Sequence, residues 1–242
     1  MTLPKSLLTC PLLSIGAMVF FSQIQANADL LVDQYPGGAT GPGTTFAQEY
    51  TDVDPLFSSY IFDDFTVGAG GWNINQITAY GKDTAFLRNT GVNNSVVLAL
   101  GATPEIASAN RYAGSEVAGA SYAGEADLVF TFATPLYLVP GTYWLAPFPV
   151  RDSNKSGWFF RQRVPVNGSE AYFQNPSGDL TNGDLNAVPF SSLGFVSQPV
   201  DLAFRIEGSA VPEPGSVGLL TSSGLILAAF AKRGFRKARK SN

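Results

Sequence analysis

The chain has 242 residues, 45% of them hydrophobic and 12% aromatic, which is enough to build a core and excludes global disorder. The net charge of −4 is unevenly spread: six of the 15 basic residues crowd the C-terminus and one is Lys5, leaving eight against 18 acidic residues between Asp29 and Ala210. A middle region of about −10 argues against nucleic acid, whose phosphates demand a basic face. No histidine occurs and the one cysteine is Cys10, which removes Ser-His-Asp and Cys-His triads and histidine-containing zinc sites.

Residues 1–28 read as an export signal. Lys5 supplies the positive start, an apolar stretch runs to Phe20 and Phe21, and "QANA" places small residues at Ala26 and Ala28, so cleavage after Ala28 leaves Asp29 as the new N-terminus. Export machinery and a signal peptidase are the implied partners. A lipoprotein reading of "LLTC" fails, because Thr9 is too bulky before the cysteine and the apolar run continues past Cys10. Removal of the signal leaves no cysteine, so no disulfide framework is available.

Residues 29–210 alternate apolar runs with turn residues, as 25 glycines and 16 prolines along the chain suggest. Strands are predicted at "YIFDDFTV" (Ile61, Phe65 and Val67 inward), "GWNINQITAYG", "SVVLAL", "ADLVFTFA" (Leu128, Phe130 and Phe132 inward), "GWFFRQR" and "EAYFQN". "TPLYLVPGTYWLAPF" reads as two strands joined at Pro140-Gly141. In "DLAFRIEG", Leu202, Phe204 and Ile206 share a core face, while Asp201, Ala203, Arg205 and Glu207 share a wet one. About nine or ten short strands without intervening helices make parallel βαβ units improbable and an antiparallel β-sandwich the natural architecture.

Two groups of side chains in this region suggest ligands. Asp52, Asp54, Asp63 and Asp64 are candidates for calcium, which takes about six to eight oxygens, although Asp63 and Asp64 point to opposite faces of a regular strand. The bland alternative is solvent-facing or turn-capping aspartates. "NPSGDLTNGDLN" lacks the order of an EF-hand loop and reads as a glycine-rich surface loop. Of the tryptophans Trp72, Trp144 and Trp158, the last stands beside Arg161 and Arg163 and is the best candidate for a sugar platform; core burial is the competing reading for each. A glycosidase needs two carboxylates facing each other across a cleft, which sequence does not display, so the chain reads as non-enzymatic and without a required cofactor.

The last 32 residues, 211–242, run in a fixed order: the motif "VPEP" over 211–214, an apolar stretch over 215–231 interrupted by polar residues at Thr221 to Gly224, and a basic tail of Lys232, Arg233, Arg236, Lys237, Arg239 and Lys240. Pro212 and Pro214 hold Val211 and Glu213 extended. The apolar stretch only just reaches the lower limit of a spanning helix, about 17 to 25 residues. The basic residues after it set the tail on the cytoplasmic side.

This order resembles the PEP-CTERM sorting signal of exported bacterial proteins, with Pro212, Glu213 and Pro214 as the recognition element. The resemblance implies an exosortase-type membrane enzyme as partner, transient anchoring in the inner membrane, and transfer to the cell envelope or the extracellular space. "FDDFTVGAGGWNINQITAYG" and the closing "DLAFRIEG" also resemble the jelly-roll-like β-sandwich ectodomains that precede such tails. The expectation is therefore an all-β exported surface or matrix protein with a cleaved signal helix and a short C-terminal transmembrane helix. The task of its ectodomain stays open between a structural or adhesive role and a carbohydrate-binding module of an exopolysaccharide matrix.

Overall fold

A computed structural model describes residues 28–35, 43–83, 95–118, 126–153, 157–164 and 167–213. The signal segment apart from Ala28, and everything from Pro214 onward, lie outside them. The described residues are all-β, with two short 3-10 turns at Pro55–Phe57 and Phe190–Leu193. The strands in chain order are β1 (Asp29–Asp33), β2 (Thr44–Phe46), β3 (Glu49–Tyr50), β4 (Tyr60–Val67), β5 (Trp72–Ala79), β6 (Gly81–Asp83), β7 (Ser95–Gly101) and β8 (Asn110–Ala118). They continue as β9 (Ala126–Leu138), β10 (Gly141–Arg151), β11 (Trp158–Arg163), β12 (Tyr172–Gln174), β13 (Val188–Pro189), β14 (Asp201–Leu202) and β15 (Phe204–Ala210).

Eleven strands form one curled sheet in the order β1-β15-β5-β9-β8-β7-β10-β4-β12-β13, with β3 beside β10; four form a smaller one, β14-β11-β2 with β6 beside β11. The pairings are antiparallel except that of β3 with β10. The links β4–β5 and β9–β10 are short, yet neither joins hydrogen-bonded neighbours. Pro140-Gly141 thus turns the chain without making a hairpin. Each link is largely exposed and takes the chain from one part of the curled sheet to another, while inside the curl Phe65 of β4 stacks 6.1 Å from Trp72 of β5 and meets Phe204 of β15 edge-on at 6.3 Å.

The predicted inward residues Ile61, Phe65, Val67, Leu128 and Phe130 are buried, and β4 buries both faces. The "DLAFRIEG" pattern needs correction. Leu202, Phe204 and Ile206 are buried as expected, but so are Asp201 and Ala203. The segment is two strands rather than one: β14 pairs with β11 in the small sheet, and β15 pairs with β1 and β5 in the large one. Ala203 is the crossing point, donating its N–H to the Arg161 carbonyl and accepting from the Tyr80 N–H, both at 2.9 Å. A strand that changes sheets loses its wet face at the crossing.

The two sheets share one core and are fastened by buried polar groups. Trp158 of β11 is fully buried and its Nε1–H donates to the Ala126 carbonyl of β9 at 2.7 Å. Gly81 makes room for it, because a Cβ there would fall 2.2 Å from the indole ring. Arg151 of β10 pairs with Asp83 of β6 and Glu116 of β8, each at 2.5 Å. Asp63 of β4 accepts the Leu202 N–H of β14 at 2.7 Å.

Trp158→Ala is expected to cost about 3 to 5 kcal/mol, read as a lower urea midpoint at unchanged slope. Trp158→Phe keeps most of the packing but orphans the Ala126 carbonyl, and should cost about 1 to 3 kcal/mol. A near-neutral Trp158→Ala would contradict the fastening role.

Candidate functional site

The residues singled out in sequence are distributed rather than gathered. Trp158 is in the core, and alternation along β11 turns Arg161 and Arg163 to the opposite face of the strand, where both are half-buried. Arg161 stacks over Tyr35 at 5.8 Å, and Arg163 stands opposite Asp201 across the β11–β14 ladder. These three residues therefore do not form a sugar platform. Trp144 is half-buried edge-on to Tyr172 at 5.0 Å.

The four aspartates proposed for calcium are also apart in role. Asp52 accepts from the backbone and hydroxyl of Ser153, and Asp54 caps the turn at Leu56 N–H. Asp63 points into the core with its Oδ1 on the Asp64 N–H, whereas Asp64 accepts from the Ser169 N–H at 2.8 Å. Among the described residues no group of three or more His, Cys, Asp or Glu is arranged to hold a metal. Each of these aspartates has a local hydrogen-bonding task that accounts for its position.

What the fold does build is a groove of about 360 Å3 between β1 and β4. Leu31, Val32 and Asp33 line it from β1, Gln34 from just beyond, Asp64 and Thr66 from β4, Trp72 from β5, and Asn167 and Gly168 from the loop after β11. Phe65 lines it too and stacks on Trp72 at 6.1 Å. Gly168 has φ +100°, and a Cβ on it would lie 2.7 Å from Asp64 Oδ2, so only glycine lets the loop approach that carboxylate. Asp33 is engaged, with Oδ2 3.0 Å from Arg205 and Oδ1 accepting the Tyr35 N–H.

Gln34 is 1% exposed, and its amide is held only by a 3.5 Å contact from Nε2 to the Asp64 carbonyl. Its Oε1 has no hydrogen-bond partner among the described residues. A buried amide acceptor left unpaired costs about 1 to 3 kcal/mol, so the groove contains an unmet hydrogen-bonding demand.

Behind the groove lies a pair of buried carboxyls, Asp63 and Asp201, both with no exposed surface. Burial, then the neighbouring Asp201, pushes Asp63 well above the usual aspartate range. Burial likewise raises Asp201 to about 7, opposed by the Asn167 N–H bond and by Arg163, and reinforced by Asp64 and Glu170. Burial also raises Asp64. Asp201 Oδ2 accepts the Asn167 N–H at 2.5 Å, while its Oδ1 is buried with no partner among the described residues. The pair prefers to hold a proton.

Sequence reasoning named Trp72 and Asp64 but not the residues that join them. Gln34 lies one residue beyond β1, where no sequence pattern marks it, and Asn167-Gly168 carries a turn signal whose place beside Asp64 depends on a contact 105 residues apart. A second, apolar pocket of about 270 Å3 is lined by Phe46, Phe173, Phe190 and Phe195; the last three pack on one another, and Phe46 packs on Tyr50 and Phe159.

An aspartate whose folded pKa lies above the unfolded value of about 3.9 adds stability that is complete below that value and lost as pH rises through the folded one. For Asp201 the folded value is about 7, so Asp201→Asn is expected to gain stability relative to the parent chain between about pH 4 and pH 7. Urea midpoints of both proteins at several pH values measure this, and a difference that stays flat would overturn the assignment.

No family model matches the chain, and a search of curated proteins returns no match, so the groove is interpreted from its own geometry and chemistry.

Proposed function

We propose that the chain is an exported, non-enzymatic surface or matrix protein delivered by its C-terminal tail. The observation that carries this is the root of the tail. β15 ends at Ala210, the Val211 N–H makes a last bond to the Gly71 carbonyl at 2.9 Å, and Pro212 and Glu213 then stand exposed outside any strand. An extended, solvated peptide at the end of a folded unit is what a processing enzyme can bind. Pro214, the apolar stretch and the basic tail lie outside the described residues, and their part in the reading comes from sequence alone. Ala28 is exposed immediately before β1, so a cut there would leave every strand intact.

The finer architecture we infer is a jelly-roll-like β-sandwich. The short β4–β5 and β9–β10 links support it, because each joins strands that are not neighbours in the sheet, and Phe65 of β4 packs against Trp72 of β5 and Phe204 of β15. Sorting by an exosortase-type enzyme follows from the tail's resemblance and is independent of what the ectodomain binds.

A second reading, a carbohydrate-binding module of an extracellular polysaccharide matrix, is favoured by the groove, where an aromatic ring and several amide and carboxylate groups converge. The reading no longer involves Trp158.

Replacing Glu213 and Pro214 together with Ala is expected to leave an uncleaved, membrane-retained protein. Fractionation and intact mass of the parent and variant chains provide the check; a parent protein released with residues 215–242 still attached would rule out processing.

A further inference from the structure

We propose that the groove between β1 and β4 binds one pyranose unit of a neutral or amino-bearing polysaccharide, with Trp72 as its apolar platform and Asp64, Gln34 and Asn167 as its polar partners. This assignment rests on the carbohydrate-binding reading and gives it a site and a sugar class.

Three observations point to that ligand. The first is the combination of surfaces. Trp72 is half-buried and stacks on Phe65 at 6.1 Å, and Phe65, Leu31 and Val32 line the groove with it as apolar wall. A pyranose has one face of C–H groups and a rim of hydroxyls, which matches an aromatic wall flanked by acceptors and amides. The volume, about 360 Å3, falls at the lower end of small-ligand sites, about 300 to 1,000 Å3. That suits a single ring better than a long segment.

The second is the unmet hydrogen-bonding demand. Gln34 is buried, its Oε1 lacks a partner among the described residues, and the one contact holding its amide is long. Turning that amide toward a ligand hydroxyl therefore sacrifices little. Asn167 is exposed and gives its backbone N–H to Asp201, which positions the residue at the rim while leaving the side chain for the ligand. Asp64 uses Oδ1 on the Ser169 N–H and keeps Oδ2 against Gly168 at the groove wall.

The third is charge. Asp33 and Asp64 line the groove, and no Lys or Arg is among the described residues that do so. Asp33 is already paired with Arg205, so a uronic acid would bring its carboxylate against Asp64 with no cation among the described lining residues to receive it, in a region about −10 overall. A neutral hydroxyl rim avoids that repulsion, and an amino group gains attraction from Asp64.

The test uses the purified full chain with three probes: a glucosamine oligomer, a cello-oligosaccharide and polygalacturonate, followed by calorimetry and tryptophan fluorescence. Binding of the first or second with little binding of polygalacturonate is expected. Asn167→Ala and Asp64→Asn should each weaken it about tenfold or more, an amount typical of losing one charged or buried hydrogen bond. Asn167 is exposed, so its variant tests the site without threatening the fold, and Leu185→Ala, at an exposed position that does not line the groove, should bind as the parent does. Sugar binding that survives both groove variants overturns the site while leaving the carbohydrate reading in place. Preference for polygalacturonate overturns the sugar class. No binding of any probe removes both this site and the carbohydrate reading, and leaves delivery by the tail untouched.

Discussion

The fold depends on how a four-stranded sheet is fastened to a large curled one without any covalent link. With the only cysteine at Cys10, the fastening rests on buried polar contacts: the Trp158 indole on the Ala126 carbonyl, Asp63 on the Leu202 N–H, and Arg151 between Asp83 and Glu116. Such contacts strongly favour one arrangement, since in a low-dielectric interior a partner that is lost leaves a group whose desolvation is not recovered. Apolar packing supplies most of the driving force, but it tolerates sliding. The directional bonds fix which strand of the small sheet faces which strand of the large one.

That registration also makes the groove. Asp63 and Asp64 are neighbours on β4, and alternation sends one inward to the small sheet and the other to the loop that begins at Asn167. A single strand thus ties the core and forms the wall of the site. Asp201 completes the connection, because it lies buried opposite Arg163 and accepts the Asn167 N–H. The position of the loop is consequently tied by a backbone hydrogen bond to a carboxyl buried in the core.

The sequence made the all-β class legible through period-two runs, and Ile61, Phe65, Val67, Leu128 and Phe130 are buried as expected, but Phe132 is only partly buried and β4 also buries Tyr60, Phe62, Asp63 and Asp64, and so both its faces. It was less informative wherever a strand has no wet face or no strong pattern. β8, with Gly114 and Ser115 among its residues, was overlooked because close packing against Phe130 requires a small residue there rather than an apolar one. Asp201 and Ala203 were placed in water because "DLAFRIEG" alternates cleanly; only the change of partner at Ala203 removes that face. Trp158 illustrates the same limit, since Arg161 and Arg163 stand three and five residues on, and an odd spacing turns them to the opposite face of the strand. The groove draws on residues from 31 to 168, and no local pattern announces a contact made by folding alone.

The bond from the Val211 N–H to the Gly71 carbonyl marks where the folded unit ends. β15, the strand behind that bond, is flanked on one side by β1 and on the other by β5. A pull on the chain beyond Val211, directed along the strand, loads both ladders in shear, so that many hydrogen bonds resist together instead of opening one after another. The domain is therefore mechanically suited to being held, or tugged, by its C-terminal end.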